Sequence, residues 1–253
     1  MIKHYSFSSN IPGKNILILW CVHWNEICWQ KAIDEIISLF NEKKLNVISG
    51  TVTFIPIANS KAFQENKRYI DVNLNRVFTK HKNPKNYEEN LANELTNFID
   101  KSDILLDIHS THSDDEPFVF LDYDDEENNL LAKSCLLENI VVWWPEIYKN
   151  TQNWDSCSYT HFKNKIWVTM ECWNHNSPKS VEIWKKAIIN ILATYKIIDK
   201  IPEYLTNFKK IKVEAFIIKE FEWVLTRNYN HLDKIEKNEV IAKYENWEEF
   251  KAI

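Results

Sequence analysis

The segment Leu19-Trp20-Cys21-Val22-His23-Trp24-Asn25-Glu26-Ile27-Cys28-Trp29 contains an H-x-x-E pair, two side chains of the kinds that bind zinc. A zinc ion that drives hydrolysis is held by three protein ligands, with its fourth position left to water. His109 offers the third, at the end of the apolar run Asp103-Ile104-Leu105-Leu106-Asp107-Ile108. Two imidazoles and one carboxylate make a catalytic donor set, so His23, Glu26 and His109 are the candidate ligands of one Zn2+ per chain. An H-x-x-E pair alone also arises by chance at helix starts. The second strand-associated histidine gives it weight.

The elements around these residues can be read from periodicity. Asn15-Ile16-Leu17-Ile18-Leu19 has the pattern of a buried strand, and residues 26–40 place Ile27, Ala32, Ile33, Ile36, Ile37 and Phe40 at helical spacing. His23 and Glu26 then lie in the turn from a strand to a helix, where open α/β sheets gather loops into sites. Further strands are expected at 47–48, 52–55, 118–121, 140–142 and 167–171, and helices at 87–100 and 180–198. Helices alternating with strands predict an α/β fold whose mostly parallel sheet is covered on both faces. The acidic clusters at 114–116 and 122–127 read as solvated loops. Beyond Pro202 the pattern turns to short β segments at 211–219 and 240–242, which suggests a large domain over 1–203 and a small β domain over 204–253. The last β element runs into Ile253, as a truncated chain would.

Composition narrows the function classes. With 253 residues, 45% hydrophobic and 26% charged, the chain can bury a full core. A net charge of −5 and a pI near 5.9, with bases interleaved among acids, argue against a nucleic-acid partner. No stretch resembles a signal peptide or approaches the roughly 18 apolar residues of a membrane span. A cytoplasmic protein without a membrane partner is expected. Five cysteines with no C-x-x-C pair fit a reducing compartment, and Cys21, Cys28 and Cys172, beside the candidate site, read as small buried hydrophobes.

Four motifs occur together and in order: His23-Trp24-Asn25-Glu26, Asn73-Leu74-Asn75-Arg76-Val77-Phe78, Asp107-Ile108-His109-Ser110-Thr111 and Thr169-Met170-Glu171-Cys172. In order and spacing they resemble the succinylglutamate desuccinylase/aspartoacylase family, relatives of the zinc carboxypeptidases. The likeness runs from about residue 16 to about 195 and continues more weakly into the β-rich end. It implies a carboxypeptidase-like α/β domain with a central mixed sheet, then a small β domain that helps shape the substrate entrance. It also implies hydrolysis of a small-molecule N-acyl amino acid, succinylglutamate-like or acetylaspartate-like, to the free amino acid and a carboxylic acid. A metallocarboxypeptidase and a non-catalytic relative are the other readings, and oligomeric state is left open.

The same resemblance assigns roles. Glu171 matches the catalytic glutamate, general base and then general acid; the plainer reading is a strand-end carboxylate capping a helix. Arg68 lies near the scissile carbonyl, where a cation stabilises the developing oxyanion. Asn75 and Arg76 hold a substrate carboxylate, a task suited to the planar, two-pronged guanidinium. The family commonly has Asp where this chain has Asn73. Whatever that position orients, Arg76 or a ligand, is held less strongly here.

The chain has 2 glycines and 11 tryptophans. At an average of about 7% it would hold roughly 18 glycines. Trp20, Trp24, Trp29, Trp143, Trp144, Trp154, Trp173 and Trp247 stand where the family accepts glycine or where the local sequence reads as a turn. Exchanging every tryptophan for glycine gives 13 glycines, close to that average. The pattern predicts a gene in which UGA encodes glycine but was read as tryptophan. The alternative is a tryptophan-rich binding surface, which would put the indoles on exposed faces. Under the first reading, backbone strain beside Trp24 would mark the misplaced side chain.

Overall fold

The computed structural model describes residues 2–23, 30–111, 116–121, 125–142, 154–174, 178–214, 223–229, 232–244 and 248–252. The chain divides into two compact units, Met1–Lys212 and Val213–Ile253.

The first unit is built on one sheet. Its strands are β1 (Tyr5–Ser8), β2 (Asn15–Trp20), β3 (Thr51–Ile55), β4 (Ile104–Thr111), β5 (Phe118–Leu121), β6 (Asn139–Val142), β7 (Ile166–Asn174) and β8 (Lys209–Lys212). They lie in the order β1-β3-β2-β4-β7-β5-β6-β8. Only β1 against β3 and β5 against β7 are antiparallel, so two parallel blocks of opposite direction meet between β7 and β5. The sheet is mixed, as the family resemblance implies.

Strand β2 is apolar on both faces because both are covered. Ile16 and Ile18 point into one core with α1 (Gln30–Asn41) and α6 (Pro178–Thr194), where Ile33, Ile36, Ile188 and Ile191 are fully buried. Leu17 and Leu19 point into a second core with α3 (Tyr87–Lys101), through Leu91, Leu95 and Ile99, and with α5 (Ser156–Phe162), through Tyr159. Side-chain caps start several helices: Asn59 for α2 (Ser60–Gln64), Asn86 for α3, Asp125 for α4 (Glu126–Ser134) and Asp155 for α5. Each accepts from a backbone N–H that the helix itself cannot satisfy.

Several expectations shift. β4 and β7 continue to Thr111 and Asn174, so His109 and Glu171 lie inside strands rather than at their ends. In the acidic cluster at 122–127 the described residues 125–127 are exposed, but Asp125 caps α4 and Glu126 and Glu127 form its first turn, where carboxylates complement the helix dipole. Val47 makes only an isolated bridge to Ile198. β8 pairs in parallel with β6, so the large sheet continues past Pro202.

Trp20 and Trp173, expected at glycine-like or turn positions, fall within strands, whereas Trp167 and Trp184 keep the strand and the helix expected at 167–171 and 180–198. Trp20 lies in β2, Trp167 and Trp173 in β7, Trp184 in α6 and Trp223 in a strand of the second unit. No tryptophan among the described residues has positive φ. Trp20, Trp167 and Trp184 are at most 3% exposed, and the rings of Trp20 and Trp184 meet with centroids 5.9 Å apart. They belong to elements and cores, neither to turns nor to a surface. Trp154 forms an isolated bridge with Val77, and Trp24, Trp29, Trp143, Trp144 and Trp247 lie outside the described residues. The two glycines pack against each other: Gly50 has φ +65°, and a Cβ on Gly13 would come within 2.7 Å of the Gly50 nitrogen. Neither tolerates a side chain.

The second unit holds β9 (Trp223–Leu225), β10 (Val240–Tyr244) and β11 (Glu249–Lys251), antiparallel in the order β11-β10-β9. Trp223 stacks on Tyr244 at 5.6 Å and meets the Phe250 ring at 5.0 Å. Cys21, Cys135, Cys157 and Cys172 are buried and unbridged. No helix among the described residues is long and apolar enough to cross a membrane.

Candidate active site

The strand order sets the location. The chain leaves β2 for β3 on one side and then crosses to β4 on the other, so the carboxyl ends of β2 and β4 flank a topological switch point. Immediately after β2 the backbone turns through Cys21, a non-glycine residue at φ 50°. That conformation costs on the order of 1 kcal/mol. The turn is tied down: the Trp20 and Cys21 carbonyls accept from the Ala58 and Asn59 amides at 2.7 and 3.2 Å, and the Cys21 thiol donates to the His23 carbonyl at 3.3 Å.

This turn delivers His23 to His109. Both are buried, and their ring centroids lie 5.6 Å apart with the planes tilted by 53°. Alternation along β4 puts Asp107 and His109 on the face that carries Leu105. In the β4–β7 register His109 is level with Glu171 and Asp107 with Thr169, so Glu171 stands beside His109 on the neighbouring strand.

A second layer of polar groups backs the histidines. His23 Nε2 lies 3.2 Å from Asn73 Oδ1, and His109 Nε2 lies 3.2 Å from Asp107 Oδ2, the latter an ion-pair approach off the hydrogen-bond line. Ser156 Oγ donates to the same Asp107 oxygen, while Asp107 Oδ1 is buried with no hydrogen-bond partner among the described residues. Asn73 thus touches a candidate ligand by its side chain. The family's usual Asp would put a charge there.

The segment after Asn73 folds into a single 3-10 turn, Leu74–Arg76. Asn73 Oδ1 accepts from the Asn75 amide at 3.0 Å, and Asn75 Oδ1 accepts from the Ser156 amide at 3.1 Å; the Asn75 NH2 group has no acceptor among the described residues. Arg76, partly buried, donates to the Asn75 carbonyl at 2.6 Å. Burial pushes the Asp155 carboxyl above its ordinary pKa, against hydrogen bonds from Ser158; nearby Asp107 adds to the rise and Arg76 opposes it. Arg68 is exposed and makes no hydrogen bond or ion pair among the described residues.

Of the residues expected from sequence, His23, His109 and Glu171 converge, and Asn75 and Arg76 join them through Asn73 and Ser156. Glu26 lies outside the described residues, and among these no three His, Cys, Asp or Glu side chains form a metal-binding group. The donor chemistry nonetheless fits zinc. Two buried imidazoles each have an oxygen at Nε2, the outer-shell arrangement that orients a ligating histidine through its other nitrogen. Asp107, though part of the motif around His109, had no role assigned from sequence, and Ser156 had none either. A lone carboxylate inside an apolar strand, two residues before a candidate ligand, was the available signal for Asp107; Ser156 had none.

Residues 12–142 match the family model for the succinylglutamate desuccinylase/aspartoacylase catalytic domain. The chain belongs to that family. A probable aspartoacylase of Prochlorococcus marinus is 36% identical over 104 residues, 39% of this chain and 34% of that protein. The match therefore spans about a third of the length of this curated relative. Among solved structures, the product-bound ectoine utilization protein EutE (DoeB) of Ruegeria pomeroyi superposes with a TM-score of 0.77 at 18% identity, covering 96% of this chain and 76% of that one. A succinylglutamate desuccinylase/aspartoacylase of Rhodobacter sphaeroides gives 0.75 at 19% identity, covering 95% and 75%. At such identities these structures establish the shared fold.

Proposed function

We propose that the chain is a zinc-dependent amidohydrolase acting on N-acyl amino acids with acidic side chains, succinylglutamate-like or acetylaspartate-like. The observation that carries this reading is the meeting of His23 and His109 at the switch point, with Glu171 in register beside His109. His23, Glu26 and His109 would hold one Zn2+, which when bound supplies Lewis-acid polarisation of the amide carbonyl and lowers the pKa of water toward neutrality.

The protein's own groups do the rest. Glu171 takes a proton from the attacking water as the new C–O bond forms, and returns it to the amine nitrogen as the C–N bond breaks. Arg68 stabilises the negative charge that develops on the carbonyl oxygen. Arg76 and the Asn75 NH2 group bind a substrate carboxylate, which selects acidic substrates and orients the amide toward Glu171. The buried, unbridged cysteines support a cytoplasmic setting.

Glu171→Gln keeps the shape and removes the base. Its turnover of N-acyl aspartates and glutamates should fall by about 10²- to 10⁴-fold with zinc content unchanged. A parent protein purified without near-stoichiometric zinc, or a variant as fast as the parent, overturns the reading.

A further inference from the structure

Glu88 is fully buried in the first turn of α3, yet no Lys, Arg or His pairs with it among the described residues. Its carboxylate is met by neutral donors instead. Oε1 accepts from the Ile70 amide at 2.7 Å and from Asn59 Nδ2 at 3.3 Å; Oε2 accepts from the Asp71 and Val72 amides at 3.0 and 3.3 Å. Three consecutive backbone N–H groups thus converge on one buried anion, aided by the helix N-terminus on which it stands. The gripped segment has no helix or strand of its own. It lies between Arg68 and the Asn73–Arg76 turn, the two parts of the proposed substrate-binding apparatus.

Asn59 extends the connection. Its backbone amide donates to the Cys21 carbonyl in the turn that carries His23, its Oδ1 caps α2, and its Nδ2 reaches Glu88. A second clip, from the Tyr87 amide to Asp71 Oδ2 at 2.9 Å, holds the same loop to α3.

We infer that Glu88 is a positioning residue: it fixes the loop over residues 70–72, and so the arginines on either side, relative to the His23 turn. It touches no reacting atom. Its effect on catalysis rests on the function proposed above, but its effect on the loop does not. Amides held by a single buried carboxylate should exchange with solvent as slowly as the helix that carries it.

The test joins hydrogen exchange with kinetics. In the full-length parent, the amides of Ile70, Asp71 and Val72 should be protected like those of α3; exchange at open-loop rates overturns the inference without any reference to activity. In Glu88→Gln, an NH2 group replaces one acceptor oxygen. Exchange of the three amides should accelerate at least tenfold, and KM for N-succinylglutamate or N-acetylaspartate should rise about tenfold, with kcat and bound zinc little changed. Glu89→Gln, altering a neighbour that caps the Lys85 amide instead, should change neither. Unchanged exchange in Glu88→Gln, or a fall in kcat with KM unmoved, overturns the assignment. A parent that hydrolyses neither substrate refutes the proposed function and leaves the exchange experiment intact.

Discussion

Replacing Asp107 by Asn separates an outer-shell role from a purely structural one. Asp107 is wholly buried; one oxygen faces His109 Nε2 at 3.2 Å and accepts from Ser156, and the other has no hydrogen-bond partner among the described residues. Asn preserves the shape and removes the charge, with two consequences of opposite sign. A carboxylate behind a ligating imidazole orients the ring and raises its basicity, and losing such a partner typically weakens metal binding by about 10- to 100-fold, or roughly 1.4–2.7 kcal/mol. The metal-free fold, by contrast, is relieved of a half-satisfied buried anion whose desolvation costs several kcal/mol. An unsatisfied amide group in its place costs only about 1–3 kcal/mol. The metal-free variant should therefore be as stable as the parent or more so, while its zinc affinity falls. Chelator competition measures the affinity, and urea unfolding of the metal-free proteins measures the stability. Unchanged zinc affinity together with a metal-free loss above about 2 kcal/mol would refute the reasoning and make Asp107 merely the acceptor for Ser156.

Other outcomes are open to measurement. Arg76→Lys keeps the charge but loses the two-pronged geometry, so steady-state kinetics should show kcat/KM for N-acyl glutamates lower by about 10- to 100-fold. The Asp100 carboxyl is partly buried, which raises its pKa, but hydrogen bonds from Lys80 and Tyr159 and the charge of Lys163 outweigh this and hold it below the ordinary value. Its contribution to stability is thus present above the unfolded-state pKa and is lost as pH falls below about 4. Asp100→Asn should flatten that part of the acid-unfolding curve. If the eleven tryptophan codons are UGA read in the host as glycine, the natively expressed protein should be lighter by about 129 Da per site, the side-chain difference between indole and hydrogen. Intact mass and the codons decide this together, and a sizeable share of UGG defeats it.

What the sequence disclosed and what it hid differ by the range of the interactions concerned. His23 was legible because a strand and a turn follow one another locally, and His109 because it follows an apolar run; Glu26 lies outside the described residues. The link from Asp107 to Ser156 spans 49 positions and that from Glu88 to Asn59 spans 29, so neither leaves a local pattern. Glu88 in particular looks like any acidic residue in a helix's first turn; only the fold reveals the loop wrapped around it. Glu171 seemed to end its strand because the hydrophobic pattern fades after Met170, whereas pairing with β4 carries β7 on to Asn174. The tryptophans were judged by glycine's scarcity, a property of the whole chain. Packing at Trp20 and Trp184 follows from two neighbouring elements that meet there.

The junction of the two parallel blocks has a further consequence. Because β5 runs against β7, its first residue, Phe118, lies level with Glu171. The chain leaves β4 just beyond His109 and enters β5 beside Glu171, so both ends of the connecting segment, residues 112–117, are anchored at the edge that carries these two residues. Residues can be added or removed there without breaking a strand pair or reordering the sheet. The length of that connection is therefore free to change while His109 and Glu171 keep their level pairing on the neighbouring strands.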